Sequence, residues 1–221
     1  MIDTRLILIE GLQGAGKTST ARYLAERMGA LDIASTLYLE DSPDNPVSVA
    51  RAPKTSVADD ERHLLGEWGQ LVQDQTGRPG VAIVESVFWQ NGAVLLYDFN
   101  GSLDTIHSYQ AKIAPILRPL RPVVINLAVT NVRTHFGQMK IQKVHAWMSV
   151  MERINRRPLF ESRPMLRVDD MVAYLQLKAD LNRALYERCA LPKLEITDAH
   201  RDWNAAHRSI EEFLELRHAE I

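Results

Sequence analysis

The amino-acid sequence predicts a three-layer α/β sandwich, in which helices cover both faces of a parallel sheet. Short apolar runs rich in β-branched residues alternate along the chain with longer segments of helical spacing. The runs are apolar at consecutive residues, which is typical of strands that are buried on both faces. The chain has 221 residues, a length that suits one globular domain, so we expect a single domain over residues 1–221.

Five apolar runs are the expected strands. Each run is bounded by turn-forming residues or by the end of a helical segment, and the third follows the turn Gly77 to Gly80. In chain order the runs are Leu6 to Ile9, Thr36 to Leu39, Val81 to Val84, Pro122 to Val129 and Leu194 to Thr197.

The segments between these runs have helical periodicity. The first helix is expected over Lys17 to Met28, with Gly29 ending it, because glycine readily takes the left-handed conformation that closes a helix. The other expected helices cover residues 60–75, 105–117, 131–154, 169–189 and 205–216.

Composition narrows the function classes. The net charge of -2 and a pI near 6.4 give no reason to expect a nucleic acid polymer as partner. No stretch reaches the roughly 20 apolar residues of a membrane helix. Cys189 is the single cysteine, so no intrachain disulfide or thiolate cluster is expected, and we predict a packed thiol in a cytoplasmic protein. His135 and His145 lack ligand spacing or an acid cluster and are predicted to be packed or surface histidines.

The strongest motif lies between the first strand and the first helix. Residues Gly11-Leu-Gln13-Gly14-Ala15-Gly16-Lys17-Thr18 fit the pattern G-x-x-x-x-G-K-[ST]. Backbone N–H groups of such a loop surround phosphate oxygens, and the positive end of the helix adds to their attraction. Lys17 is expected to reach the β- and γ-phosphates, and the Thr18 hydroxyl to bind Mg²⁺. The motif therefore predicts a site for ATP, or less readily GTP, with Mg²⁺.

Extended by one residue at each end, the segment runs from Glu10 to Ser19. This segment resembles the thymidylate kinase and deoxynucleoside kinase families, which carry E-G-x-x-G-x-G-K-[ST]-[ST]. It also looks like the thymidylate-kinase-like proteins whose acceptor the sequence does not settle. The resemblance implies a P-loop fold of the nucleoside-monophosphate-kinase type, a five-stranded sheet with the order 2-3-1-4-5, transfer of the γ-phosphoryl group of ATP, and, because dimerisation is common there, a homodimer. The guanine signature N-K-x-D of GTPases is absent from the sequence.

Acidic residues follow two of the expected strands, where ligands of open parallel sheets bind. Glu85 directly follows the third strand, at the place where the related kinases have the acid of a D-R or E-R-S motif, so we expect it to assist Mg²⁺ or the acceptor. The arginine of that motif is missing, because Ser86 follows Glu85. Glu40 and Asp41 follow the second strand, and Glu40 is the predicted base for an acceptor hydroxyl, with Asp41 beside the acceptor.

Four residues are predicted to border the acceptor. Aromatic rings there would sandwich a planar base and an amide would bind its polar edge, although core packing is an equal alternative for the rings. The residues are Trp68, Phe88, Trp89 and Gln90.

The segment of about 130–167 is predicted to be a lid, because it is basic and follows the fourth strand. Only two or three of its cations are needed to neutralise transferring phosphate, and Arg133 and Lys143 are the two that we select. The leading hypothesis is therefore a kinase of a small-molecule acceptor, a nucleoside or nucleotide. A kinase of another metabolite or an antibiotic, and a nucleotide-dependent regulatory ATPase or switch, remain alternatives.

Overall fold

The computed structural model describes residues 3–40, 42–48, 51–53, 55–93, 102–139, 152, 155–156, 164 and 167–216. Five strands form one sheet, in which every pairing is parallel and the order is β2-β3-β1-β4-β5. This confirms the predicted order. The strands are β1 (Leu6–Gly11), β2 (Ser35–Tyr38), β3 (Val81–Glu85), β4 (Val123–Ala128) and β5 (Lys193–Thr197).

Helices alternate with the strands. They are α1 (Lys17–Ala30), α2 (Val57–Thr76), α3 (Leu103–Leu117), α4 (helical at 132–139), α5 (Val168–Arg188) and α6 (Trp203–Phe213). A π-helical turn (Trp89–Ala93) follows β3, and 3-10 turns occupy Arg118–Leu120 and Ala199–Arg201. Most of the helix expected over 131–154 lies outside the described residues.

The predicted end of the first helix was wrong by two residues. α1 continues through Gly29 to Ala30, and the left-handed residue that follows is Asp32, with φ 56°. Aspartate tolerates this conformation better than most residues because its short polar side chain bonds locally. Gly29 is therefore an ordinary helical residue here.

The two faces of the sheet carry separate hydrophobic clusters, as the consecutive apolar residues of β1 predicted. Leu6 and Leu8 pack with residues of α2, α3 and α5 on one face, whereas Ile7 and Ile9 pack with residues of α1 and α6 on the other. Cys189 is buried in the first cluster, which confirms the packed thiol. Among the helices that the structure describes, none is both long and apolar enough to cross a bilayer.

Candidate active site

The glycine loop, residues 11–18, leaves the carboxyl end of β1 at the centre of the sheet. Gly14 and Gly16 have φ of 77° and 99°, in the left-handed region that favours glycine. A Cβ on Gly11 would lie 2.5 Å from the backbone oxygen of Leu127 on β4. These glycines therefore allow both the turn and its close approach to the neighbouring strand.

Backbone donors are concentrated at the start of α1. Thr20 N–H donates to the Gly16 carbonyl at 2.9 Å, which is the first intrahelical bond. The N–H groups of Lys17, Thr18 and Ser19 precede that bond, and Gly16 at the N-cap offers no side chain to accept from them. An anion at this point would receive these donors and the positive end of the helix.

Lys17 is 5% exposed, and its Nζ donates to the Leu12 carbonyl inside the loop at 3.0 Å. Burial lowers the pKa of Lys17, while the carboxylates of Glu40, Glu85 and Glu10 oppose that shift. Three carboxylates, Glu10 on β1, Glu40 after β2 and Glu85 at the end of β3, therefore surround the ammonium group beside the loop and favour its charged form.

The Thr18 hydroxyl and the Glu85 carboxylate are in direct contact. Thr18 Oγ1 donates to Glu85 Oε1 at 2.6 Å, and Glu85 Oε2 accepts a longer bond of 3.4 Å from the Glu40 backbone N–H. The pair offers hard oxygen ligands, which suit Mg²⁺ bound through one or two carboxylates and substrate phosphates. Among the described residues no group of three or more His, Cys, Asp or Glu is placed to hold a metal ion. A cation here would therefore also need oxygen atoms from the phosphates of a bound nucleotide or from water.

Glu40 is half-buried and lies two residues after the end of β2; its carboxylate is near Lys17, and its backbone N–H donates to Glu85. Asp41, the other acid at this strand end, lies outside the described residues. The acids predicted from two different strand ends therefore meet beside the glycine loop.

Glu10 is a buried acid that lies inside β1, so the pattern of acids after the strands did not point to it. It is 0% exposed; its Oε1 accepts from Phe88 N–H and its Oε2 from Gln90 N–H, both at 2.9 Å. Burial raises the pKa of Glu10 to about 7, although these hydrogen bonds and Lys17 lower it. One carboxylate thus ties the strand that enters the glycine loop to the turn that follows Glu85. The signal in the sequence was a lone charge inside an apolar strand.

The aromatic residues assigned to the acceptor lie in the hydrophobic core. Trp68, Phe88 and Trp89 are each at most 1% exposed, and Phe88 contacts both indole rings. Trp68 Nε1 donates to Tyr109 Oη at 3.2 Å. This corrects the expectation of an open aromatic sandwich, because packed rings have no free face for a base. Gln90 is 1% exposed, and its Oε1 has no partner among the described residues.

The segment after β4 contacts the glycine loop through His135, a residue that was not predicted for the site. Arg133 pairs with Asp169 at 2.8 Å and its side chain is 68% exposed, whereas Lys143 lies outside the described residues. His135, on α4, contacts the Gln13 carbonyl through Nε2 at 2.8 Å, and burial lowers its pKa. The uncharged ring that this favours must donate through Nε2. His135 is packed, as predicted, and holds the loop.

No family model and no curated protein matches the sequence. Solved structures match it over nearly the whole chain. Deoxyadenosine kinase from M. mycoides with bound dATP gives a TM-score of 0.55 at 15% identity, covering 95% of this chain and 99% of that one. YorR from Bacillus subtilis, in complex with phosphorylated GDP, gives 0.53 at 12% identity and 96% coverage of both chains. Thymidylate kinase from Ehrlichia chaffeensis gives 0.52 at 13% identity, covering 96% and 98%. These likenesses show the fold that the sequence predicted.

Proposed function

We propose that the chain is an ATP- and Mg²⁺-dependent phosphotransferase that moves the γ-phosphoryl group of ATP to a hydroxyl of a nucleoside or nucleotide. The observation that carries the proposal is the contact between Thr18 and Glu85 beside the buried Lys17, at the uncapped start of α1. Similar folds in structures named as a deoxyadenosine kinase and a thymidylate kinase support it.

The glycine loop holds the donor. N–H groups of residues 14–19 bind phosphate oxygens, and Lys17 exchanges the Leu12 carbonyl for the β- and γ-phosphates. The desolvated ammonium group then faces the charge that develops during transfer, where its effect is greatest. Thr18 and Glu85 would hold Mg²⁺, which neutralises negative charge on the phosphates.

Glu40 orients the acceptor. Its position beside Glu85 and Lys17 places a carboxylate next to the phosphate site. It accepts the proton of the attacking hydroxyl as the bond from that oxygen to the γ-phosphorus forms and the bond to the leaving ADP oxygen breaks. The products are ADP and the phosphorylated acceptor.

The residue after Glu85 favours an uncharged acceptor end. Ser86, which replaces the motif arginine, is 0% exposed and uncharged. Arg51, on the segment between β2 and α2, does not take the place of that arginine, because Glu67 at 2.6 Å and two backbone carbonyls bind its guanidinium group. A nucleoside hydroxyl therefore suits the site better than the phosphate of a monophosphate.

ADP release from Mg-ATP tests the proposal against a panel of nucleosides, nucleoside monophosphates and other hydroxylated metabolites. We expect one compound class to stimulate release in the protein and in Lys112→Ala, an exposed lysine paired with Glu61, but not in Lys17→Ala. Stimulation by a non-nucleotide metabolite alone would move the acceptor to that class. ADP release that no acceptor stimulates would favour a regulatory ATPase. Absence of ATP binding would overturn the proposal.

A further inference from the structure

A cavity of about 400 Å³ lies between α5 and the strands β4 and β5. Its polar lining includes Asn126 and Glu195 on the strands and Asn182 and Arg183 on α5. Val124, two residues before Asn126, packs in the cluster that includes Leu181 and Leu185 of α5. The cavity thus lies on the α5 face of the sheet, whereas Trp203, against Gly16, belongs to the α1 face.

Two buried asparagines in the lining of this cavity have side-chain atoms without a hydrogen-bond partner among the described residues. Asn182 is 4% exposed, and neither its Nδ2 nor its Oδ1 has a hydrogen-bond partner among the described residues. Asn126 is 3% exposed; its Nδ2 donates to Glu195 Oε2 at 2.8 Å, which leaves its Oδ1 without a described partner. Buried polar atoms are nearly always paired, and these three atoms belong to two residues in the lining of one cavity.

The three unpartnered amide atoms determine which hydrogen-bonding groups a ligand of this cavity would need. Asn182 supplies both a donor and an acceptor, and Asn126 supplies a second acceptor. The charged residues of the lining, Arg183, Glu187 and Glu195, are exposed and of both signs, so the buried part of the cavity is uncharged. An asparagine amide pairs with adjacent donor and acceptor atoms on a planar ring, as it does with adenine.

The wall and size of the cavity fit a planar ring. Tyr186 lines it, and the fully buried Trp89 packs edge-on against Tyr186 at a centroid distance of 6.0 Å, which fixes that ring. The volume is within the range of small-molecule sites, roughly 300–1,000 Å³. We propose that this cavity binds an uncharged planar heterocycle with neighbouring hydrogen-bond donor and acceptor atoms, a free nucleobase being the chemical class that fits.

Binding at this cavity would reach the glycine loop. Gly11 and Leu12 belong to its lining, and the Leu12 carbonyl is the acceptor for Lys17 Nζ. A ligand that fixes Leu12 changes how readily Lys17 leaves that carbonyl. This coupling rests on the proposed function, whereas the binding does not.

Saturation-transfer NMR with adenine, guanine, cytosine and thymine as probes tests the site, in excess Mg-ADP to occupy the glycine loop. We expect at least one base to bind, both to the protein and to Lys17→Ala. Asn182→Leu, which keeps the volume and removes both polar atoms, should weaken binding by about tenfold or more. Asn204→Leu, an exposed change on α6, is the matched control and should bind as the unmodified protein does.

Two results would overturn the proposal. No saturation by any of the four bases, or equal binding to Asn182→Leu, would mean that water alone satisfies the amides. If Asn182→Leu does not fold, Asn182→Asp keeps the shape and replaces the N–H donors with a carboxylate oxygen, and the same loss of affinity is expected. Because Lys17→Ala retains the cavity, a failed kinase assay leaves the binding result intact.

Discussion

At the scale of single residues, Glu10 shows how one buried charge organises the site. Its carboxylate accepts from the backbone of Phe88 and of Gln90 while Lys17 lies near enough to lower its pKa. Burial outweighs these contacts, since it raises the pKa to about 7. Glu10 therefore holds the turn after Glu85 in place and changes its own charge near neutral pH.

The pH dependence of stability follows from that shift. The folded-state pKa, about 7, is above the ordinary value of 4.5, so the stabilising effect is complete below pH 4.5 and is lost as the pH rises through about 7. The total loss is about 3 kcal/mol. Urea unfolding at pH 5 and pH 8 should show most of this loss in the protein and a flatter profile in Glu10→Gln. Glu26→Gln, at an exposed position of α1, should keep the original slope, and an unchanged slope in Glu10→Gln would contradict the prediction.

The Thr18 hydroxyl gives a prediction about magnesium. Thr18→Val removes the donor to Glu85 Oε1 and one proposed ligand, so the Mg²⁺ concentration for half-maximal ADP release should rise by about tenfold or more. Thr18→Ser, which keeps the hydroxyl group, should have the same Mg²⁺ requirement as the unmodified protein. Thr20→Val is the matched control, because the Thr20 hydroxyl is buried with no partner among the described residues, and it should change neither the Mg²⁺ requirement nor stability much. An equal rise in both variants would remove Thr18 from the metal site.

At the scale of elements, the glycines divide into two groups with opposite roles. Those of the glycine loop have positive φ and close neighbours: a Cβ on Gly14 would lie 2.0 Å from Met139 Sδ, and one on Gly16 would lie 2.1 Å from the Trp203 ring. Gly66 and Gly69, inside α2, would place a Cβ in open space. The loop therefore requires its glycines, and α2 does not.

Gly66→Ala and Gly69→Ala should each stabilise the protein by about 0.5–1 kcal/mol, because alanine restricts the unfolded chain and favours a helix. Thermal unfolding should show a higher midpoint, with ADP release unchanged. Gly11→Ala should do the reverse, since its Cβ would meet the Leu127 backbone oxygen. If both α2 substitutions lowered the midpoint, the added methyl groups would have to clash with neighbouring atoms, which would contradict the open space around Gly66 and Gly69.

At the scale of the whole molecule, the described elements share their hydrophobic clusters. The cluster on one face joins β1, β3 and β4 to α2, α3 and α5, and the other joins the same sheet to α1 and α6. Since no element is packed by itself, we expect one cooperative unfolding transition, with coincident urea curves from far-UV circular dichroism and tryptophan fluorescence. Two separate transitions would contradict the single domain over residues 1–221. The homodimer stays a prediction, which sedimentation equilibrium tests.

Local patterns in the sequence were enough to predict the strands, their parallel packing and the glycine loop. Apolar runs such as Leu6 to Ile9 report burial on both faces directly, and the resemblance carried by Glu10 to Ser19 implied the strand order that the sheet has. The sequence also predicted acidic residues at the ends of the strands, because the carboxyl ends of parallel strands all lie at one edge of the sheet. Glu40 and Glu85 lie at this edge, where the Glu85 carboxylate accepts from the Glu40 backbone N–H.

Only the tertiary structure decided which partner each polar or aromatic side chain has. Phe88 and Trp89 are buried against Trp68 and Tyr186, Arg133 pairs with Asp169, and His135 contacts the glycine loop. Each of these contacts joins residues that are far apart in the chain, so the spacing of residues along the sequence does not predict it. Strands and turns follow from the preferences of neighbouring residues, but a charge or a ring takes its role from whatever folding brings beside it.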